Sequence, residues 1–173
     1  MTTSESHYSY LFPPVLDACC STRAFWFDSK DRRALFIDKR REIHVIDNGM
    51  PGTIGRQPLV IDPDQIVDFT DMPFPNESFH LVVFDPPHIE RKEAKGVITK
   101  RYGVLSGDWR SMLRAGFTEC FRVLKPNGVL VFKWGESSHK ISEILKLTPE
   151  TPLFGQKTTK VAHWCVFMKD NPV

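Results

Sequence analysis

Polar residues that could do chemistry fall in short clusters, each directly after an apolar run: Asp17-Ala18-Cys19-Cys20-Ser21, Asp38-Lys39, Asp68-Phe69, Asp85-Pro86-Pro87-His88 and Lys133-Trp134. Carboxylates accept hydrogen bonds from hydroxyls and amines, and an aromatic ring offers an apolar face, so such a set converging on one crevice suits a nucleoside. Any one of these aspartates alone reads as a helix cap or a turn residue. Their recurrence at the ends of successive apolar runs supports the functional reading, because open parallel sheets bind ligands outside the carboxyl ends of their strands. Cys19 and Cys20 lack a basic neighbour to favour the thiolate and read as small hydrophobes.

The elements that would position these clusters follow from patterning. Val15-Leu16-Asp17-Ala18-Cys19-Cys20 reads as a short buried strand and Ala34-Leu35-Phe36-Ile37 as a second, ending at Asp38. Leu59-Val60-Ile61 or, preferably, Gln65-Ile66-Val67 supplies a third. Phe79-His80-Leu81-Val82-Val83-Phe84 is nearly continuously apolar and suits a central strand covered on both faces. Apolar residues from Trp109 to Leu124 keep helical spacing, with Asp108 as N-cap and Pro126-Asn127-Gly128 as the stop. Val129 to Trp134 and His163 to Met168 read as further strands, and Ser142 to Leu147 as a short helix. The residues between Asn48 and Pro58 read as a loop. The expected fold is α/β, a Rossmann-like doubly wound and mainly parallel sheet, in one domain over residues 1–173, with residues 1–11 a flexible segment.

Composition limits the partners. The 23 Lys and Arg against 21 Asp and Glu leave a net charge of +2, so nucleic-acid contact must come from a local basic surface. Arg91, Lys92, Lys100 and Arg101 with Tyr102 form such a stretch, able to meet phosphates and stack on a base or to stand as a solvated charged loop. No C-x-x-C pair suggests zinc, and no apolar run approaches a membrane span, so a cytoplasmic protein without a metal is expected.

The segment Asp68 to His80 (DFTDMPFPNESFH), the D-P-P-H run and Arg122 to Gly128 (RVLKPNG) resemble class I S-adenosylmethionine-dependent methyltransferases over nearly the whole chain. Asp17 to Asp28 (DACCSTRAFWFD) with His163-Trp164 resembles small stand-alone bacterial and phage members that methylate amines. The resemblance implies a C-terminal antiparallel strand in the sheet and S-adenosylmethionine as cofactor. It places Asp38 at the ribose, Asp68 and Phe69 at the adenine, and Asp17, Ala18 and Cys19 along the methionine part, with Lys39 and Ser21 also among the cofactor-binding residues. The glycine-rich turn usual there is replaced by Cys19-Cys20-Ser21.

Asp85-Pro86-Pro87-His88 resembles the motif of enzymes acting on exocyclic amines of nucleobases. An aryl amine is a poor nucleophile, and hydrogen bonds from it to the Asp85 carboxylate and the Pro86 carbonyl would localise its lone pair. Pro87 stiffens the turn, His88 takes the position that stacks on an extruded base, and Asp85 also borders the cofactor. The expected substrate is DNA or RNA, with adenine the expected base and His163 and Trp164 nearby. A protein or small-molecule acceptor, or a cofactor binder without turnover, are the alternatives. The length leaves no room for a separate recognition domain, so target choice falls to loops or a protein partner.

Overall fold

The structure, a computed structural model, describes residues 12–47, 56–93, 95–157 and 162–171. The expected flexible segment, residues 1–11, lies outside the described residues. Strand β1 (Val15–Asp17) pairs in parallel with β2 (Ala34–Asp38) on one side and β6 (Phe79–Phe84) on the other. Beyond β2 lies the two-residue edge strand β5 (Gln65–Ile66), and beyond β6 lies β7 (Leu124–Gly135). β9 (Ala162–Met168) runs antiparallel to β7, and β8 (Phe154–Lys157) pairs with β9 at the far edge. The order β5-β2-β1-β6-β7-β9-β8 makes a mostly parallel seven-stranded α/β sheet that closes with an antiparallel strand.

β2 shows why these residues form a central strand. All five are buried: Leu35 and Ile37 face the main core, while Ala34 and Phe36 pack with Cys20, Val15 and Trp26 on the opposite face. The main core lies between the sheet and α2 (Trp109–Val123), whose Leu113, Phe117 and Cys120 share one buried cluster with Phe84, Leu130 and Phe132, the Phe117 ring meeting those of Phe84 and Phe132. Asp108 caps α2 by accepting from the Ser111 N–H at 3.2 Å.

The helix ends at Val123, and the expected stop at 126–128 is a bulge at the entry of β7. There the β6–β7 register jumps from Phe79–Leu124 to Leu81–Val129, and Asn127 takes φ 60°. α3 (Ile141–Ile144) and a 3-10 turn (Leu145–Leu147) fulfil the short helix expected nearby.

Other elements escape the expectations, the edge strand β8 among them. β3 (Glu42–Asp47) and β4 (Arg56–Ile61) form an antiparallel hairpin outside the main sheet, so Leu59 to Ile61 belong to it and Arg56 to Pro58 are strand rather than loop. The rest of the expected loop, residues 48–55, lies outside the described residues. α1 (Val97–Tyr102) is a helix in what reads as a basic loop. The strand read as Val15 to Cys20 stops at Asp17, and residues 18–33 cross to β2 in turns.

The segment from Asp68 to Ser78 also crosses without a helix and is tied to α2 instead. Arg122 donates to the carbonyls of Met72 and Phe74 at 2.9 and 2.7 Å, and Glu119 accepts from the Met72 N–H at 2.8 Å. This clamp fixes Phe69, whose ring lies against Gly116 of α2. A Cβ at Gly116 would come within 2.8 Å of both Phe69 and Phe84, two buried rings without space to withdraw. Gly116→Ala is therefore expected to lower the melting temperature, since overpacking costs about 1–3 kcal/mol against a helix-propensity gain of about 1 kcal/mol. A thermal melt checks it.

Candidate active site

Strand order reverses between β1 and β6, so the crevice at their carboxyl ends is the ligand position of an open parallel sheet. Asp17 ends β1 and Asp85 follows β6, both buried. A cavity of about 380 Å³ opens there, within the size range of small-molecule sites. Among the residues singled out in the sequence, Cys19, Ser21, Asp38, Lys39, Phe69, Asp85, Pro87, Lys100 and Tyr102 line it.

Asp17 lies behind that wall. Its Oδ2 accepts from Trp26 Nε1 at 2.7 Å and its Oδ1 from the Cys19 N–H at 3.3 Å, yet burial pushes its carboxyl up to about 7. Burial likewise pushes the Cys19 and Cys20 thiols up, away from the reactive thiolate. Ser21 takes the left-handed conformation, φ 48°, that glycine adopts without strain. Its N–H donates to Asp38 Oδ2 at 3.1 Å and its hydroxyl to the Arg101 carbonyl at 2.7 Å.

Arg40, not recognised in the sequence, completes the shell of Asp38. Its backbone N–H and Nε donate to Oδ1 at 2.9 and 3.2 Å, and Nη2 reaches Oδ2 at 3.4 Å. The same guanidinium donates to the carbonyls of Lys100 and Arg101 at 3.0 and 2.9 Å, fastening α1 over the cavity. Leu105 secures the other side of this cover through backbone bonds with Ile89 and Arg91. The signal for Arg40 was its place two residues after a strand-end aspartate, where a side chain folds back on the carboxylate.

Asp85 is the most asymmetric group of the site. Oδ2 accepts from Lys133 Nζ at 2.6 Å, while Oδ1 is buried without a partner. Burial raises its carboxyl above the usual range, opposed by the Lys133 ammonium. Pro86 is buried.

His88 is half-buried beside the cavity. A Cβ at Gly135 would meet its ring at 2.7 Å, Trp134 packs on its edge, and Tyr102 lies 6.1 Å away, centroid to centroid. Burial lowers its imidazole below the ordinary value.

The remaining candidates spread out. Ala18 is buried in the main core. Asp68 is partly exposed, accepts from the Thr70 N–H and hydroxyl, and stands 3.8 Å from Lys39. Arg91 and Lys92 are exposed and do not line the cavity. Trp164 approaches Lys133, whereas His163 sits 3.2 Å from Glu136. Among the described residues no His, Cys, Asp and Glu group could hold a metal ion, and no helix is long and apolar enough to cross a membrane.

No family model and no curated protein matches the chain. Solved structures do. The PH0226 protein of Pyrococcus horikoshii aligns at TM-score 0.52 and 14% identity, over 90% of this chain and 81% of that one. A TehB-like SAM-dependent methyltransferase of Corynebacterium glutamicum aligns at TM-score 0.52 and 13% identity, over 90% and 79%. The N-methyltransferase NodS of Bradyrhizobium japonicum aligns at TM-score 0.50 and 15% identity, over 91% and 85%. The fold is that of the Rossmann-like methyltransferases. At these identities the likeness is one of chain path and strand order.

Proposed function

We propose that the protein transfers a methyl group from S-adenosylmethionine to an exocyclic amine of a nucleobase, adenine in DNA or RNA. The observation that carries this reading is the Asp85 carboxylate: at the switch point of the sheet, in a D-P-P run, it keeps one buried oxygen without a donor. A buried acceptor left unpaired costs free energy until a donor arrives, and an aryl amine supplies that donor. Pro86, fixed by its ring and by burial, offers its carbonyl as the second acceptor for the same amine.

The residues present fit the cofactor. Asp38 and Phe69, both in the cavity wall, support the ribose and adenine readings, since a carboxylate accepts from hydroxyls and an aromatic ring covers a base face. Bound there, the cofactor would supply an activated sulfonium methyl. The chain's own contribution is alignment: Asp85 and Pro86 orient the amine lone pair, and Asp85 or water takes the proton as the new N–C bond forms and the C–S bond breaks. Tyr102 at the cavity and the basic residues Lys100 and Arg101 suit a base and its phosphates. Transfer of label from the methyl-labelled cofactor into DNA, RNA, protein and small-molecule fractions tests the reading; label in neither nucleic acid overturns it.

The ribose assignment makes its own prediction. The acceptor positions of Asp38 are taken by Ser21 and Arg40, so a ribose must displace the guanidinium. Arg40→Met should tighten cofactor binding about tenfold in calorimetry, a gain of about 1.4 kcal/mol. Unchanged binding would remove Asp38 from the ribose, whereas weaker binding would report the loosened α1 cover that Arg40 fastens.

A further inference from the structure

Lys133 stands where a charge is costly. β7 reads VLVFKWG toward its carboxyl end, Phe132 and Trp134 on either side are fully buried, and the Lys133 side chain is 21% exposed. Alternation turns Phe132 and Trp134 to the α2 side and Lys133 to the other face. Asp85, one residue beyond the core residue Phe84, shares that face with it. Three rings surround the ammonium: Phe25 and Tyr102 have centroids 5.6 Å from Nζ, and Trp164 lies at 5.7 Å. They come from the β1–β2 crossover, from α1 and from β9, and Trp164 is the cross-strand neighbour of Lys133.

We infer that Lys133 is a positioning residue: it fixes Asp85 by taking Oδ2, so that Oδ1 remains the one acceptor offered to the target amine. The inference rests on the proposed methyl transfer and names the group that prepares its acceptor. The rings limit water around the ammonium and leave the carboxylate as its close partner, while their faces attract the cation. A protonated Asp85 would turn one oxygen into a donor and could not hold the amine correctly. The charged and titratable groups that act on Asp85 are Lys133 from β7, Asp17 and Cys19 at the end of β1, and His88 in its own loop, while Tyr102 from α1 lies over the Lys133 ammonium. Of these, Lys133 is the one in direct contact whose charge favours ionisation.

The test pairs Lys133→Met and Lys133→Arg, with folding checked by circular dichroism. Carboxyl carbon-13 resonances follow the ionisation of Asp85, and single-turnover transfer to the acceptor found by labelling is measured against pH. In the Met variant the Asp85 midpoint should rise by about two units, and the acid limb of the rate profile should rise with it. Transfer should fall at least tenfold more near pH 6 than near pH 8.5, and Arg should restore most of both.

An Asp85 midpoint that stays within about half a unit in a folded Met variant overturns the inference. So does a midpoint that moves while the acid limb does not. Parent protein that labels no fraction overturns the methyl-transfer reading instead, and the resonance titration still decides the pairing. Should the Met variant not fold, Lys133→Gln replaces it in the same measurements.

Discussion

Asp85→Asn should leave S-adenosylmethionine binding within a few-fold of the parent and cut methyl transfer by about 10²–10³-fold, the loss seen when one preorganised hydrogen-bonding group is removed. The asymmetry follows from the two carboxylate oxygens. Oδ2 serves Lys133 and Oδ1 is left for the substrate, so an amide, with one acceptor oxygen, cannot serve both. If its oxygen stays on Lys133, the amide NH2 faces the target amine, donor against donor. Calorimetry for the cofactor and single-turnover kinetics for transfer separate the two quantities. An equal loss in both would make Asp85 a cofactor ligand and nothing more.

Asp17→Asn should have the opposite sign at high pH, stabilising the protein. The Asp17 carboxyl titrates near 7 in the folded chain against an ordinary value of 3.8. The folded state therefore binds the proton more tightly than the unfolded state between those values. Stability contributed by this group rises as pH falls from 7 toward 4, and the penalty of the buried charge is fully present above 7. A difference of about three units corresponds to on the order of 4 kcal/mol. Asparagine removes the charge and keeps an oxygen for Trp26, but turns its NH2 toward the Cys19 N–H, which returns about 1–3 kcal/mol. Thermal melts should show the variant more stable than the parent at about pH 8.5 and no more stable at about pH 5. A constant difference across that range would mean that Asp17 does not change its charge there.

Much of this arrangement is legible in the sequence because it rests on burial. β2, β6 and β9 are apolar runs that must lie in a sheet, and α2 carries its apolar stripe and its Asp108 cap in plain view. The β3–β4 hairpin is not, because Ile43, Val45 and Val60 are exposed and their alternation follows a charged cluster. α1 is short and basic, and what holds it is Arg40 and Ser21 bonded to its last carbonyls, contacts that span 60 residues of chain or more. Lys133 stood out as a charge at a strand end. Its pairing with Asp85 depends on β6 and β7 being neighbours in parallel register, which no local pattern states.

The crossover from β1 to β2, made of turns and backed by Cys20, Trp26 and a few other residues, gives the two faces of the sheet unequal resistance to opening. The α2 face is sealed by a continuous core, whereas residues 20–33 hold on through a small cluster and scattered bonds such as Cys20 N–H to the Ile37 carbonyl and Arg23 to Asp62 and Asp64. Amides of that crossover should exchange with solvent deuterium by local excursions far easier than global unfolding, while those of α2 and β7 exchange only when the whole domain opens. Because the same crossover carries Cys19, Ser21 and Phe25, occupation of the cavity should register there first, as slowed exchange in a segment that the rest of the molecule leaves comparatively loose.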